Sequence, residues 1–375
     1  MALEIASETE SKTLSLPIGP QHPGSGHFRL SVVLDGDIVV DAIPDPGYVH
    51  RGAEKMCEYR NWFQNIPHLE RPVIIDAIGI TLPYCIAYER LLGWEPPARG
   101  QYLRMIMAEL DRITSHLYWL GIYGPFLGHT TMFMWPMGDR EMFIDLAEAI
   151  GGQRLTFSYA IPGGVRNDMP DRFPQQAFKV CDYFERRLRE YDRIFFKNPL
   201  VMKRTQGIGV MNAQEAMALG ATGPNLRGSG VAADTRKDDP YDAYADIDFE
   251  IPVFPEGDCW SRAMVRRMEL QYSMDIIRAC LKQMPSGPLN TRSRGQVGLP
   301  PGEAFGRTEA ARGVMAFHVV ASSDVPKVGW PYRVKISVPS FRSLPAMPFL
   351  LKGGRMADVP AIYWSLDYWP VEADK

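Results

Sequence analysis

The chain has 375 residues, of which 46% are hydrophobic and 23% charged, with a formal net charge of −3. That composition is globular, sized for about two or three domains and for a core that needs no covalent staples. The charges are mixed and contain no basic block, which argues against nucleic acid or anionic lipid as the main partner. Cys57, Cys85, Cys181, Cys259 and Cys280 are odd in number and not at metal-motif spacing, so reduced thiols are expected rather than disulfides or a zinc site.

Residues 1–13 read as a tail, and MALEIASETESK carries acids where a signal peptide needs an apolar stretch. Residues 14–48 form an N-terminal β region. Its loop GPQHPGSGH, 19–27, holds His22 and His27. Leu30, Val32 and Leu34 then alternate, Asp35-Gly36 supplies a turn, and Ile38, Val39 and Val40 return as a hairpin. The most apolar run, Val73 to Tyr88, is interrupted by Asp76 and too short to span a bilayer, so any membrane attachment is expected through a partner.

Residues 49–285 are expected to be a helical core. Leu103, Ile106, Met107, Leu110, Ile113, Leu117 and Leu120 recur at helix spacing. Asp139 to Ile150 repeats the pattern and stops at Gly151-Gly152. Phe173 to Phe196 predicts a third helix, and Cys259 to Met284 a fourth, closed by Pro285. The fourth carries Arg262, Arg266 and Arg267, a face expected to meet solvent or a partner subunit. Residues 286–375 are β-rich, with strands expected at 314–321 and 332–338, an apolar helix at 344–351, and a buried C-terminal tail. Segregated β, helical and β regions predict an α+β fold.

Three features carry candidate chemistry. Glycine and proline in the histidine loop can hold a side chain at a pocket mouth, where His22 or His27 could give a hydrogen bond or proton to a carbonyl acceptor. Taken alone, the loop fits histidines that only satisfy backbone groups. In HRGAEKMCEYRN, 50–61, most charges can pair along a helix, while Arg51, with Arg71 further on, could instead supply fixed positive charge to a redox centre. Without further context the surface reading is favoured. His68, His116, His129 and His318 are not at paired ligand spacing, and neither a GxGxxG nor a P-loop opens a helix after a strand.

The order of these segments is more specific than any one of them. GPQHP at 19–23, HRGAEK at 50–55, LLGWEPPARGQYLRMIMAELDRITSHLYWLG at 91–121, PGGVRNDMP at 162–170, GPNLRGSGVAADTRKDDPY at 223–241 and PSFRSLPAMPFLLKGGRMADVPAIYWSLD at 339–367 resemble the D-type, 49 kDa-type subunit of complex I. The resemblance covers nearly the whole chain after the tail. It implies a fold similar to the [NiFe]-hydrogenase large subunit, packed against a small iron–sulfur (B-type) subunit, with C-type and membrane-arm H-type subunits as further partners, at the cytoplasmic face of the cell membrane. It also implies electron transfer from the partner's terminal [4Fe–4S] cluster to a quinone or a carrier such as methanophenazine, coupled to ion pumping. No metal is expected in this chain. The electron donor (NADH, reduced deazaflavin or ferredoxin) would enter elsewhere.

The resemblance also assigns residues. His22 matches the first histidine of the family loop, and His27 the second across a loop one residue shorter. Arg51 and Arg71 match the arginines flanking the partner's cluster, and Glu54 is a proton-moving candidate by analogy with hydrogenases. The family's head-group tyrosine becomes Ile74, the acid supporting its histidine becomes Phe126, and the histidine coupled to cluster protonation becomes Thr156. The nickel-binding cysteine positions of hydrogenases fall at Val73, Asp76, Trp369 and Glu372, and Val and Trp offer nickel no ligand atom. These departures imply a pocket that holds its acceptor by apolar contact with one histidine anchor, and a cluster potential less dependent on pH. They also keep two rivals open: a hydrogenase-related complex that no longer reduces quinone, and a structural coupling subunit.

Overall fold

The computed structural model describes residues 13–22, 26–291, 298–325 and 327–375; residues 1–12 of the expected tail and 23–25 of the histidine loop lie outside these. An antiparallel three-stranded sheet opens the described chain, with Leu14–Ile18, Arg29–Asp35 and Ile38–Asp45 in that order. Leu30, Val32 and Leu34 point into the core, as their alternation predicts. The strand Leu14–Ile18, five residues with one proline, carries too short a pattern to be read from sequence.

The helix Ala98–Phe126 runs through the centre of the molecule for 29 residues. It packs against Thr131–Gly151, Cys259–Gln283 and Val359–Ser365. Surrounded on most sides, it buries its charged residues as well as its apolar ones, so each must find a partner. Arg104 pairs with Glu89 and with Asp242, the latter at 3.2 Å. Glu109 pairs with Arg112 at 3.2 Å and Arg236 at 3.1 Å. His116 Nε2 lies 2.7 Å from Glu269, which also binds Arg227, and Arg227 reaches Glu309 at 2.8 Å.

The arginine face of the helix Cys259–Gln283 corrects one expectation. Arg262 and Arg266 are fully buried instead of meeting solvent or a partner subunit. Arg262 donates to Ser365 Oγ at 3.0 Å and Gly257 O at 2.8 Å, and Arg266 to the Ser365 carbonyl at 3.0 Å. Their guanidinium groups satisfy carbonyls left open at helix ends and turns, a role helical periodicity does not reveal. Arg267 lies nearer the surface, paired with Asp192 at 2.6 Å.

The C-terminal sheet is antiparallel in the order Gly302–Ala310, Gly313–Ala321, Arg333–Ser337. The latter two strands match expectation; the first was missed because its inward positions include Ala304, Gly306 and Thr308, which are not strongly apolar. This sheet lies on the buried helix Ala77–Leu92. The final helix, Pro370–Asp374, packs on the turn Arg71–Val73. Among the described residues no helix is long and apolar enough to cross a membrane.

Candidate functional site

Two clefts lie near the C-terminal part of the chain, one walled by the helix Val359–Ser365 and the other reaching the final helix Pro370–Asp374. The first is apolar, about 340 Å³, and is walled by the first strand (Leu16, Ile18), His22, Phe126, Tyr363 and Trp364. Phe126, at the end of the central helix, stacks on Trp364 with ring centres 5.6 Å apart. The described ends of the histidine loop are tied by a hydrogen bond from Gly26 N–H to the His22 carbonyl, 2.9 Å. A Cβ at Gly26 would stand 3.8 Å from Pro370, which places this loop beside the C-terminal helix.

The second cleft, about 310 Å³, is cationic. Arg51, Arg60, His68, Arg71 and Lys375 line it with Val371, and no carboxylate side chain stands among the described lining residues. Burial, reinforced by Arg60, holds His68 below its usual pKa, so it is neutral near pH 7, with Nε2 buried and without a hydrogen-bond partner. Lys375 is paired with Glu54 at 3.4 Å, and the convergence of Arg51, Arg60 and Arg71 favours an anion or a centre that gains negative charge.

The structure therefore brings His22 together with Phe126, and Arg51 together with Arg71. It keeps others apart. Ile74 is 41% exposed on the turn just after Arg71 and lines neither cleft. His27 is exposed just before the second strand and outside both linings. Thr156 is half-buried, its hydroxyl 3.3 Å from Gln153 Oε1. Glu54 sits in a third cleft beside His50, Lys55, Arg333 and Asp374. It accepts from Lys335 at 2.9 Å and Ile336 N–H at 3.0 Å. Burial alone would raise its pKa, but these donors with Lys375 outweigh it and hold Glu54 below the usual carboxylate range. Glu54 is thus an anion in a salt-bridge network, which disfavours easy proton uptake.

Sequence reasoning missed Arg60, His68 and Lys375 as members of the cationic cleft. Arg60 lies within the HRGAEKMCEYRN segment, but only the fold brings in the last residue of the chain. It also missed what joins the segments that carry Asp76 and Glu372. Asp76 and Glu372 meet on one guanidinium, Arg312, at 3.5 and 3.0 Å. Glu372 also accepts from the Ser340 hydroxyl. With Val73 and Trp369 offering no ligand atom and both carboxylates engaged by a cation, these residues do not fit nickel. Among the described residues no group of three or more His, Cys, Asp or Glu is placed to hold a metal ion.

The model of the family described as "Respiratory-chain NADH dehydrogenase, 49 Kd subunit" matches residues 127–298 and 292–375. The chain belongs to that family. It is 38% identical over 373 residues to the D-type subunit of the F(420)H(2) dehydrogenase of Methanosarcina mazei, covering 98% of this chain and 99% of the relative. Over 360 residues it is 38% identical to the D-type subunit of the NADH-quinone oxidoreductase of Desulforamulus reducens, covering 96% and 97%. Among solved structures it resembles a chain of the membrane-bound sulfane sulfur reductase, an archaeal respiratory membrane complex, with a TM-score of 0.92 and 40% identity, covering 98% of this chain and all of that one. These likenesses bear out the α+β, 49 kDa-type fold and an oxidoreductase role as one subunit of a respiratory complex.

Proposed function

We propose that this 49 kDa-family subunit forms, with a small iron–sulfur partner, the place where electrons leave that partner's terminal [4Fe–4S] cluster for a quinone-like acceptor. The energy released drives ion pumping by a membrane arm, on which the chain sits peripherally through C-type and H-type partners. The observation that carries this reading is the pair of clefts formed near the C-terminal part of the chain: an apolar one against the helix Val359–Ser365 with His22 at its wall, suited to a greasy acceptor, and a cationic one presenting Arg51 and Arg71. Fixed positive charge beside a cluster stabilises its reduced form. In the apolar cleft His22 is the polar anchor, and Phe126 packs where the family's acid would sit. This chain holds no metal of its own in this reading, and with Val73 and Trp369 at two former cysteine positions it does not activate hydrogen.

The test is acceptor reduction by the intact membrane complex with ubiquinone, menaquinone and methanophenazine analogues, comparing wild type with a His22→Ala/His27→Ala variant. Reduction that falls in the variant supports an acceptor at this subunit; reduction left unchanged removes the histidine anchor from the mechanism.

A second reading is favoured by Ile74, by Phe126 and by the cationic cleft together. Here the acceptor is a small anion, such as a chain of sulfane sulfur, reduced among Arg51, Arg60 and Arg71 in a complex that has abandoned quinone. The name of the structural neighbour fits it. Under this reading polysulfide is reduced, all three quinone-like analogues are not, and Arg60→Gln raises the KM for polysulfide.

A further inference from the structure

Behind the wall of the cationic cleft lies a buried cluster that the reading above does not use. The two segments that line the cleft with Arg71, Pro72 and Val371 carry, a few residues on, Asp76 and Glu372 on the inner side. There they join Asp111 from the central helix and Asp367 from the turn before the C-terminal helix. Four carboxylates thus face three guanidinium groups, Arg140, Arg266 and Arg312. Arg266 is shared further with Glu269 of the neighbouring network.

The cluster is shaped by its backbone and left incompletely bonded. Asp76 Oδ1 lies 2.1 Å from where a Cβ of Gly79 would stand, so the helix start accommodates this carboxylate only because residue 79 has no side chain. Asp367 is held at φ 53°, the left-handed region that non-glycine residues rarely adopt. Asp111 accepts from neutral donors, Ile78 N–H at 2.9 Å and the Thr114 hydroxyl at 3.4 Å. Arg312 Nη2, Glu372 Oε1, Asp367 Oδ2 and Arg266 Nε are all buried and make no hydrogen bond. The 3.7 Å pair Arg266–Asp367 has open atoms at both ends, and the 3.5 Å pair Arg312–Asp76 is open at Arg312 Nη2 while Asp76 Oδ2 accepts from Ala311 N–H at 3.0 Å; such spacing is what a water or a mobile proton closes.

We propose that this cluster is a proton reservoir for acceptor reduction at this subunit, with Asp111 carrying the exchangeable proton. The local charge balance favours it: four carboxylates against the three guanidinium groups that reach them, in a buried site, are more stable with one proton bound. Burial first, then the charge of Asp76, pushes Asp111 well above the usual range, while burial lifts Asp367 to about 6 and raises Glu372. As the acceptor takes up electrons, the O–H bond of the Asp111 acid breaks, its proton passes to a neighbouring carboxylate of the cluster, and a proton relayed from the cluster bonds to the reduced acceptor atom. Asp111 is left as a carboxylate, to be reprotonated from solvent. By the resemblance to hydrogenases, two of the four carboxylates, Asp76 and Glu372, stand at nickel-ligand positions, so Arg312 supplies there the positive charge a metal would otherwise bring.

This inference rests on acceptor reduction at this subunit, under either acceptor, and its test separates the two claims. Infrared spectroscopy of the oxidised, intact complex at neutral pH reads a protonated-carboxyl C=O band without any turnover. The difference spectrum between wild type and Asp111→Asn is expected to show one protonated-carboxyl component lost over the remaining signal, such as that of Glu70; no component lost in that variant, or no band in wild type, overturns the proposal. Asp111→Asn, an isostere of the acid that cannot give its proton, is further expected to lower kcat on the order of 10²-fold with KM unchanged. A kcat equal to wild type overturns the proposal. Should Asp111→Asn fail to assemble, Asp367→Asn reads the same cluster: it removes one negative charge, so the band must weaken, and an unweakened band overturns the proposal. Failure of wild type to reduce any acceptor, with the band present, would instead remove the functional reading beneath it.

Discussion

At the scale of single residues the fold depends on guanidinium groups placed where water cannot follow. Arg312 is 1% exposed and joins Glu372, Asp76 and the Ser115 hydroxyl, the last at 3.1 Å. Arg312→Ala strands two buried carboxylates, and we expect a loss of about 3–5 kcal/mol, read as a lower denaturant midpoint of the purified complex by loss of this subunit. Glu70 is the clearest single-residue pH effect. Three hydrogen bonds from Ser158, two from its N–H at 2.7 and 2.9 Å and one from its hydroxyl at 2.9 Å, hold it against a backbone at φ 45°. Burial outweighs these bonds and the nearby Arg166 and Arg71, pushing Glu70 up to about 7. Between an unfolded pKa of about 4.3 and that value, the folded chain keeps a proton the unfolded chain has released. Glu70's contribution to stability therefore falls as pH rises through that window. Glu70→Gln is expected to remove this slope, measured as the difference between unfolding midpoints at about pH 5 and about pH 8; an unchanged difference would place the titration elsewhere. None of this is visible in the sequence, where Glu70 is one acid beside a candidate arginine.

Between elements, the C-terminal sheet and the helix Ala77–Leu92 approach so closely that one residue controls the contact. A Cβ at Gly306 would stand 2.0 Å from the Pro83 carbonyl oxygen and 2.7 Å from Ala87 N. Backbone cannot yield as a side chain can, so Gly306→Ala must lift the strand from the helix. We expect a loss of about 1–3 kcal/mol, and a variant as stable as wild type in chemical unfolding would show that the sheet floats on this helix. Helix periodicity located the central helix and the helix Cys259–Gln283 correctly. It erred on which faces are solvated, because a helix enclosed on all sides has no polar face to contrast with an apolar one. The charged residues of such a helix look like a surface in sequence and act as interior anchors in the fold.

Across the whole molecule, the two clefts lie on one chain but their chemistry belongs to a complex. If Arg51 and Arg71 face a partner's cluster, Arg51→Gln and Arg71→Gln each lower that cluster's midpoint potential, since a fixed positive charge favours the reduced state. A redox titration of the complex reads this directly, and unshifted potentials would leave the cationic cleft to a free anion instead. The same titration reads the pH slope, expected to be shallow because Thr156 carries no titrating proton at the position where the family resemblance implies a histidine. By itself the sequence determined the family, the α+β architecture and the helical spacing of the core, because each is written in residue identity and order. It also named His22, Phe126, Arg51 and Arg71, which the fold places in pairs at two clefts. Only the tertiary structure decided that Lys375 and Arg60 complete the cationic cleft, that Glu54 is tied into a salt bridge, and that Asp76 and Glu372 share Arg312. Those outcomes depend on contacts between residues hundreds of positions apart. Whether a charge is solvated or buried is fixed by what packs around it, and local sequence carries no record of that.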